Sequence, residues 1–424
     1  MNGEEILIQA LQRASDRAYA VPGYPVTRIA GGVAAAVTVN EKVALEYALG
    51  DSLALRRAAV IVKNVGVNAL ADPLANATTQ GLRAGVVVVA GDDIAVAASQ
   101  NAQDSRFYGE LAEVPVIEPS AATMGAAVEE AFRASEEFSR VALLRITPAA
   151  LAGEADAAFA PPSRATGTLA DPSLTMRGRV AAAARRTTAM FAWARASSLN
   201  TIAGGTAGVG ACPGDSRVVT VYPPPGDRFE DVAELGRPFF AEHAGLLPPA
   251  AETEPESMAG RGYVRTLCPT CPYALLFARM KEKGMTAVCD IGCSLLAMNP
   301  PYGVGIASYG LGSSVAVAAT STRVSLTGDY AMLHSGINAL IDITEKGLPL
   351  LCIVLKNKKM GMTGGHPAPD VARYLGWADP VVIPAEDGEA LDRHLAVPGH
   401  PRVLLIEGCC PEGEEHETVE CGNL

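Results

Sequence analysis

Short runs of aliphatic and β-branched residues alternate with amphipathic stretches through the first 150 residues. AAVIVKNV and AGVVVVAGDD are continuous apolar runs of strand length, and VALLRIT is a third. Around them, VALEYALGDSLALRRA and AAVEEAFRASEEFSR space their apolar positions every three or four residues, as helices do. Strands apolar on both faces and separated by such helices predict a parallel sheet covered on each side. The rhythm returns from residue 261, with RVSLTGDY as a strand ending in a turn and HSGINALIDITEKG as a helix. LPLLCIVLKN and RVLLIEG then read as two further strands. The pattern predicts an α/β chain with parallel-sheet domains at 1–150 and 261–424. Residues 151–260 are rich in Ala, Pro and Gly, with breaks at VVTVYPPPGDRF and LLPPAAETEPES. They predict a short irregular module or linker.

Composition narrows the function classes. Of 424 residues, 49% are hydrophobic and 19% charged, enough apolar material for large cores. A net charge of −12 with no Lys/Arg run excludes a nucleic-acid or anionic-membrane surface. No stretch approaches the roughly 18 apolar residues of a membrane span. The start, MNGEEILIQAL, carries acids where an export signal needs bases, so a cytoplasmic protein is expected. Nine cysteines, an odd number, then favour metal or redox chemistry over a disulfide framework. Cys352 and Cys289 fall in predicted strands and read as packing residues.

Two strand ends carry candidate chemistry. Gly328-Asp329 follows RVSLT, and Asn357 follows LLCIVLK, 28 residues beyond Asp329. In a parallel sheet such ends open at the same carboxyl edge, where ligands bind. An Asp and an Asn there offer two oxygens to a hard cation such as Mg²⁺, although a strand-end Asp alone also reads as a helix cap. Cys268-Pro-Thr-Cys271 is a CxxC, with Cys293 25 residues after Cys268. By itself it leaves zinc, a redox pair and iron–sulfur ligation open. Glu41 heads a helix, a position the helix dipole alone would favour.

The stretch LTGDYAMLHSGINALIDITEKGLPLLCIVLKNKKMGMTGG resembles the thiamine-diphosphate motif. With HSG and GMTGG, it resembles the thiamine-diphosphate-dependent 2-oxoacid:ferredoxin oxidoreductases, in particular the alpha subunit of the indolepyruvate type. GYPVT, KNVGVNALADPL and SQNAQDSRFYG carry the likeness through the first domain, so that it covers most of 20–148 and 264–370. The resemblance implies a pyrimidine-binding domain at 1–150 and a diphosphate-binding domain at 261–424. Asp329, Asn357 and the backbone carbonyl of Lys359 would hold Mg²⁺, with Gly328 beside the diphosphate. Glu41 would bond the aminopyrimidine ring of the cofactor, a proton-transfer role that suits a carboxyl group in a dry pocket. Thr27 and Arg106 match positions that contact the oxoacid carboxylate. His334, just after the Gly-Asp, could donate a proton near the reacting carbon or simply bond a helix start.

The same resemblance gives the cysteines a role. Cys268, Cys271 and Cys293, with Cys410 after the last strand, would hold a [4Fe–4S] cluster; Cys409 is the rival fourth ligand. The implied reaction is oxidative decarboxylation of an indolepyruvate-like or aryl-pyruvate-like 2-oxoacid. Electrons would pass to ferredoxin or another partner protein, and a small second subunit and a homodimer are expected. Three features depart from the family. Tyr330 stands where Gly or Ser is usual, the middle region is short, and the sequence stops at Leu424 without a ferredoxin-like tail. These keep two alternatives open: a non-oxidative thiamine-dependent decarboxylase and a non-catalytic assembly subunit.

Overall fold

The computed structural model describes residues 1–93, 96–101, 103–196, 253–411 and 418–420. Most of the expected middle module, with Cys212, lies outside these residues, as does Cys421. The chain forms two compact units, Met1–Ala170 with Val180–Glu254, and Asp171–Arg179 with Pro255–Leu424. No described helix is long and apolar enough to cross a membrane.

The first unit is built on six strands: β1 (Arg17–Val21), β2 (Ala36–Val37), β3 (Ala58–Lys63), β4 (Val86–Gly91), β5 (Val116–Ile117) and β6 (Ala142–Ile146). All pair in parallel, in the order β2-β1-β3-β4-β6-β5. The central strands β4 and β6 are buried at every position, as is β3 up to Val62, which is why they read as unbroken apolar runs. Helices Gly3–Ala14 and Met124–Phe138 cover one face, placing Leu7, Leu11 and Phe132 against Ile61, Val89 and Leu144. Helix Glu41–Leu53 is buried from Val43 to Leu53 and therefore shows no amphipathic stripe. Within it the buried Asp51 accepts the Tyr19 hydroxyl at 2.6 Å and pairs with Arg56 at 2.7 Å. The unit continues beyond residue 150, because Gly167 and Ala170 donate backbone hydrogen bonds to Arg83 and Gln80.

The second unit holds β7 (Tyr263–Arg265), β8 (Ala287–Cys289), β9 (Gly305–Ala307), β10 (Val324–Gly328) and β11 (Leu351–Lys356). After these come β12 (Lys359–Met360), β13 (His366–Pro367), β14 (Val381–Pro384), β15 (Arg402–Glu407) and β16 (Thr418–Glu420). The main sheet is again six-stranded and parallel, in the order β14-β15-β11-β10-β8-β9. Strands β12 and β13 form a small antiparallel ribbon, as do β7 and β16. With strands numbered by rank within their own sheet, each sheet reads second-first-third-fourth-sixth-fifth. No short repeat in the sequence announces this shared winding. In both, the winding across the sheet reverses between the first and third strands, and that reversal opens a crevice at the carboxyl edge. Cys289 and Cys352 are fully buried within β8 and β11.

Candidate active site

In the second unit the crevice lies between β8 and β10. The buried Asp290, directly after β8, ties the two strands together: its carboxylate accepts the Ser314 N–H at 2.9 Å and the Thr327 hydroxyl. Nothing in the sequence pattern singles out Asp290 for this bracing role.

Strand β10 delivers Gly328 and then Asp329, which is 2% exposed. The Asp329 carboxylate accepts the backbone N–H of Tyr330 at 2.8 Å and of Lys358 at 2.6 Å. Burial nevertheless holds its pKa above the usual carboxylate value, against the pull of these N–H donors. A cation beside it would relieve that cost. One strand over, Asn357 follows β11; its Oδ1 accepts the Lys359 N–H at 3.1 Å. The intervening Lys358 takes φ +57°, a left-handed conformation costing about 1–2 kcal/mol for a residue with a side chain.

Gly328, Asp329, Asn357 and Lys359 line one cavity of about 380 Å³. Its other walls are mostly apolar, with Ile291, Leu295, Leu311, Met360 and Met362, and Cys293, Ser294 and Thr363 also line it. The donors available are a carboxylate, a carboxamide and a backbone carbonyl. Such hard oxygens suit Mg²⁺, which completes its shell with phosphate and water. A thiamine diphosphate–magnesium pair therefore fits the chemistry of these residues.

The cysteines gather at the same edge. Cys271 donates its backbone N–H to the Cys268 carbonyl at 3.0 Å, closing the CxxC turn ahead of helix Ala274–Glu282. Cys293 opens helix Cys293–Leu296 after Gly292, whose φ of +119° only glycine adopts readily. A Cβ placed on Gly361 would lie 4.0 Å from Cys293 Sγ and 3.8 Å from Asn357 Nδ2. Cys410 follows β15, and its Sγ accepts a hydrogen bond from Asn357 Nδ2 at 3.0 Å. Burial pushes the Cys271 and Cys293 thiols up to about 12, and the charges of the neighbouring cysteines add to the rise. Thiolates at Cys271 and Cys293 would need added positive charge beside them, and iron would supply it. Cys268 and Cys271 are buried, Cys293 and Cys410 half-buried, and Cys409 exposed. Among the described residues no three His, Cys, Asp or Glu side chains close upon a single ion. A cluster makes a different demand, because its thiolates bind separate irons.

The first unit contains the remaining predicted residues. Glu41 follows Asn40, whose side chain caps the helix by accepting the Val43 N–H at 2.9 Å. The Glu41 carboxylate rests on Gly66, just beyond β3, so closely that a Cβ there would stand 2.6 Å from Oε1. Gly66 sits inside KNVGVNAL, but the pattern alone did not single it out. Thr27 is exposed at the head of helix Thr27–Gly32. Arg106 is buried, with its guanidinium held by Asp104 (Nε to Oδ1, 2.8 Å) and Glu118 (3.5 Å). Back in the second unit, His334 is exposed on a π-helical turn, Met332–Gly336, beside Ser335 and Tyr330. It does not line the cavity.

Residues 277–382 match the family described as thiamine pyrophosphate enzyme, C-terminal TPP binding domain. The chain is 27% identical over 480 residues to the indolepyruvate oxidoreductase subunit IorA of Archaeoglobus fulgidus, covering 87% of this chain and 76% of that one. To the subunit of the same name from Methanothermobacter thermautotrophicus it is 26% identical over 425 residues, covering 78% and 69%. Among solved structures, the thiamine diphosphate-dependent 4-hydroxybenzoylformate decarboxylase of Rhodococcus jostii RHA1 superposes with a TM-score of 0.57 at 16% identity, over 97% of this chain and 100% of that one. Identity that low speaks for the fold alone. The fold is that of two thiamine-diphosphate-type parallel-sheet domains.

Proposed function

We propose that this chain, an IorA-like member of the thiamine-diphosphate-dependent enzymes, carries out oxidative decarboxylation of a 2-oxoacid and passes the electrons to a partner protein. The observation that supports this most is the meeting, at one sheet edge, of the Asp329–Asn357 oxygen donors with four cysteines. When bound, thiamine diphosphate supplies a thiazolium that accepts the electron pair left by departing CO₂, and a [4Fe–4S] cluster supplies a one-electron carrier.

The residues of the chain divide the remaining work. Asp329, Asn357 and the Lys359 carbonyl would hold Mg²⁺, and the bare Cα of Gly328 leaves room for the diphosphate. Leu295, Leu311 and Met362 give the cavity an apolar wall, which supports an aryl 2-oxoacid over a small one. Glu41 holds a proton for the aminopyrimidine. Thr27 would bond the oxoacid carboxylate; Arg106 could join it only by exchanging Asp104 for the substrate. His334, facing solvent, could return a proton drawn from water. Cys268, Cys271, Cys293 and Cys410 would anchor the cluster. Ferredoxin or a similar carrier as acceptor, a small second subunit and a homodimer complete the proposal.

The test is iron and acid-labile sulfide in protein purified without oxygen, followed by reduction of a viologen dye on adding an aryl 2-oxoacid. About four of each per chain, with dye reduction that requires thiamine diphosphate, is the expected result. Aldehyde release without dye reduction would identify a non-oxidative decarboxylase instead.

A further inference from the structure

Strands β11 and β15 are neighbours, and their paired register ends at Lys356 and Glu407. A further hydrogen bond, from the Gly408 N–H to the Lys356 carbonyl at 3.2 Å, keeps the two chains together past that point. Asn357 and Cys410 lie immediately beyond. Asn357 Nδ2 donates to Cys410 Sγ at 3.0 Å, while Oδ1 of the same amide accepts the Lys359 N–H at 3.1 Å. One planar group thus turns its nitrogen to a thiol and its oxygen to the turn beside Asp329.

Resting on the function proposed above, we infer that Asn357 is a positioning residue through which filling of the magnesium–diphosphate site tunes the reduction potential of the cluster, by way of the N–H···S bond to Cys410. An amide is conjugated from oxygen to nitrogen. A cation that takes Oδ1 as a ligand draws electron density along the amide, and the N–H becomes a stronger donor. Hydrogen bonds to cluster sulfur disperse negative charge and favour the reduced state, which carries one electron more. The cluster is then a better one-electron acceptor when cofactor is in place than when the site is empty. The same bond selects Cys410 over the exposed Cys409 as the fourth thiolate.

The test is a potentiometric titration of the anaerobic holoprotein with dithionite as the one-electron reductant. The reduced cluster is read by electron paramagnetic resonance, with and without Mg²⁺ and thiamine diphosphate. Wild-type protein should show a more positive midpoint with cofactor. Asn357→Asp keeps an oxygen for the metal but has no N–H to give. The added carboxylate lowers the midpoint by its charge alone, so the readout is the cofactor-dependent shift, which should vanish with iron content unchanged. A shift that persists in the iron-replete variant overturns the inference, because it would be acting through space. So does a wild-type midpoint indifferent to cofactor, a comparison that stands even if the variant loses its iron. Wild-type protein without iron removes the cluster reading itself, and that failure shows in the metal analysis before any titration.

Discussion

Glu41 and Gly66 are in contact across the carboxyl edge of the first sheet, with no room for even a methyl group between them. The contact fixes where the carboxylate lies, and any side chain at residue 66 must move it. Gly66→Ala should therefore lower thiamine-dependent turnover about tenfold with little loss of stability, because the group displaced is the Glu41 side chain, which can swing aside. Glu41→Gln should abolish turnover with the melting temperature unchanged. Steady-state rates and thermal melts on both variants check the pair; full activity in Glu41→Gln removes the proton-holding role.

Asp329 is a buried carboxylate whose charge is costly without a cation. Saturating Mg²⁺ and thiamine diphosphate, at about 100 times the dissociation constant, should stabilise the wild-type protein by about 2.7 kcal/mol. In Asp329→Asn most of that gain should be lost, because the metal loses its one charged ligand. Melts with and without cofactor measure it. An equal rise in both proteins would place the metal elsewhere.

Cys410→Ser should lose iron and visible absorbance, whereas Cys409→Ser should keep both. The geometric reason is that Cys410 Sγ receives the Asn357 amide and acts electrostatically on Cys271 and Cys293. Iron analysis decides, and the reverse result exchanges the two residues without touching the cluster.

Arg57 is 1% exposed and binds two buried carboxylates, Glu136 at 2.6 Å and Glu129 at 3.0 Å. Arg57→Met leaves both acids uncompensated inside the first unit. The expected loss is about 3–5 kcal/mol in urea unfolding. A loss below about 1 kcal/mol would mean that the two acids find other partners or water.

The parts of this molecule written in local pattern were readable from the sequence. β3, β4 and β11 are apolar runs because both their faces are covered, and burial of that kind shows in any single stretch. Asp329 and Asn357 are marked by their spacing, and Gly328 and Lys359 by the family resemblance; all four line one cavity because adjacent parallel strands end at the same edge. What spacing does not carry is the partner of a side chain. The resemblance matches Arg106 to a carboxylate-binding position, and its guanidinium is held by Asp104 only two residues away. His334 reads either as a proton donor near the reacting carbon or as a partner of a helix start, and it stands exposed on the π-helical turn Met332–Gly336. Asp290 and Gly66 each act on a residue more than 20 positions away in the chain, and no window on the sequence joins such pairs.

The identical winding of the two sheets gives both halves the same address for chemistry, the segments after the first and third strands. Thr27 and Gly66 stand in those segments in the first unit, and Asp290 and Asp329 in the second. A shared scaffold does not require shared occupants, so a substitution tolerated in such a segment of one unit predicts nothing about the matching segment of the other.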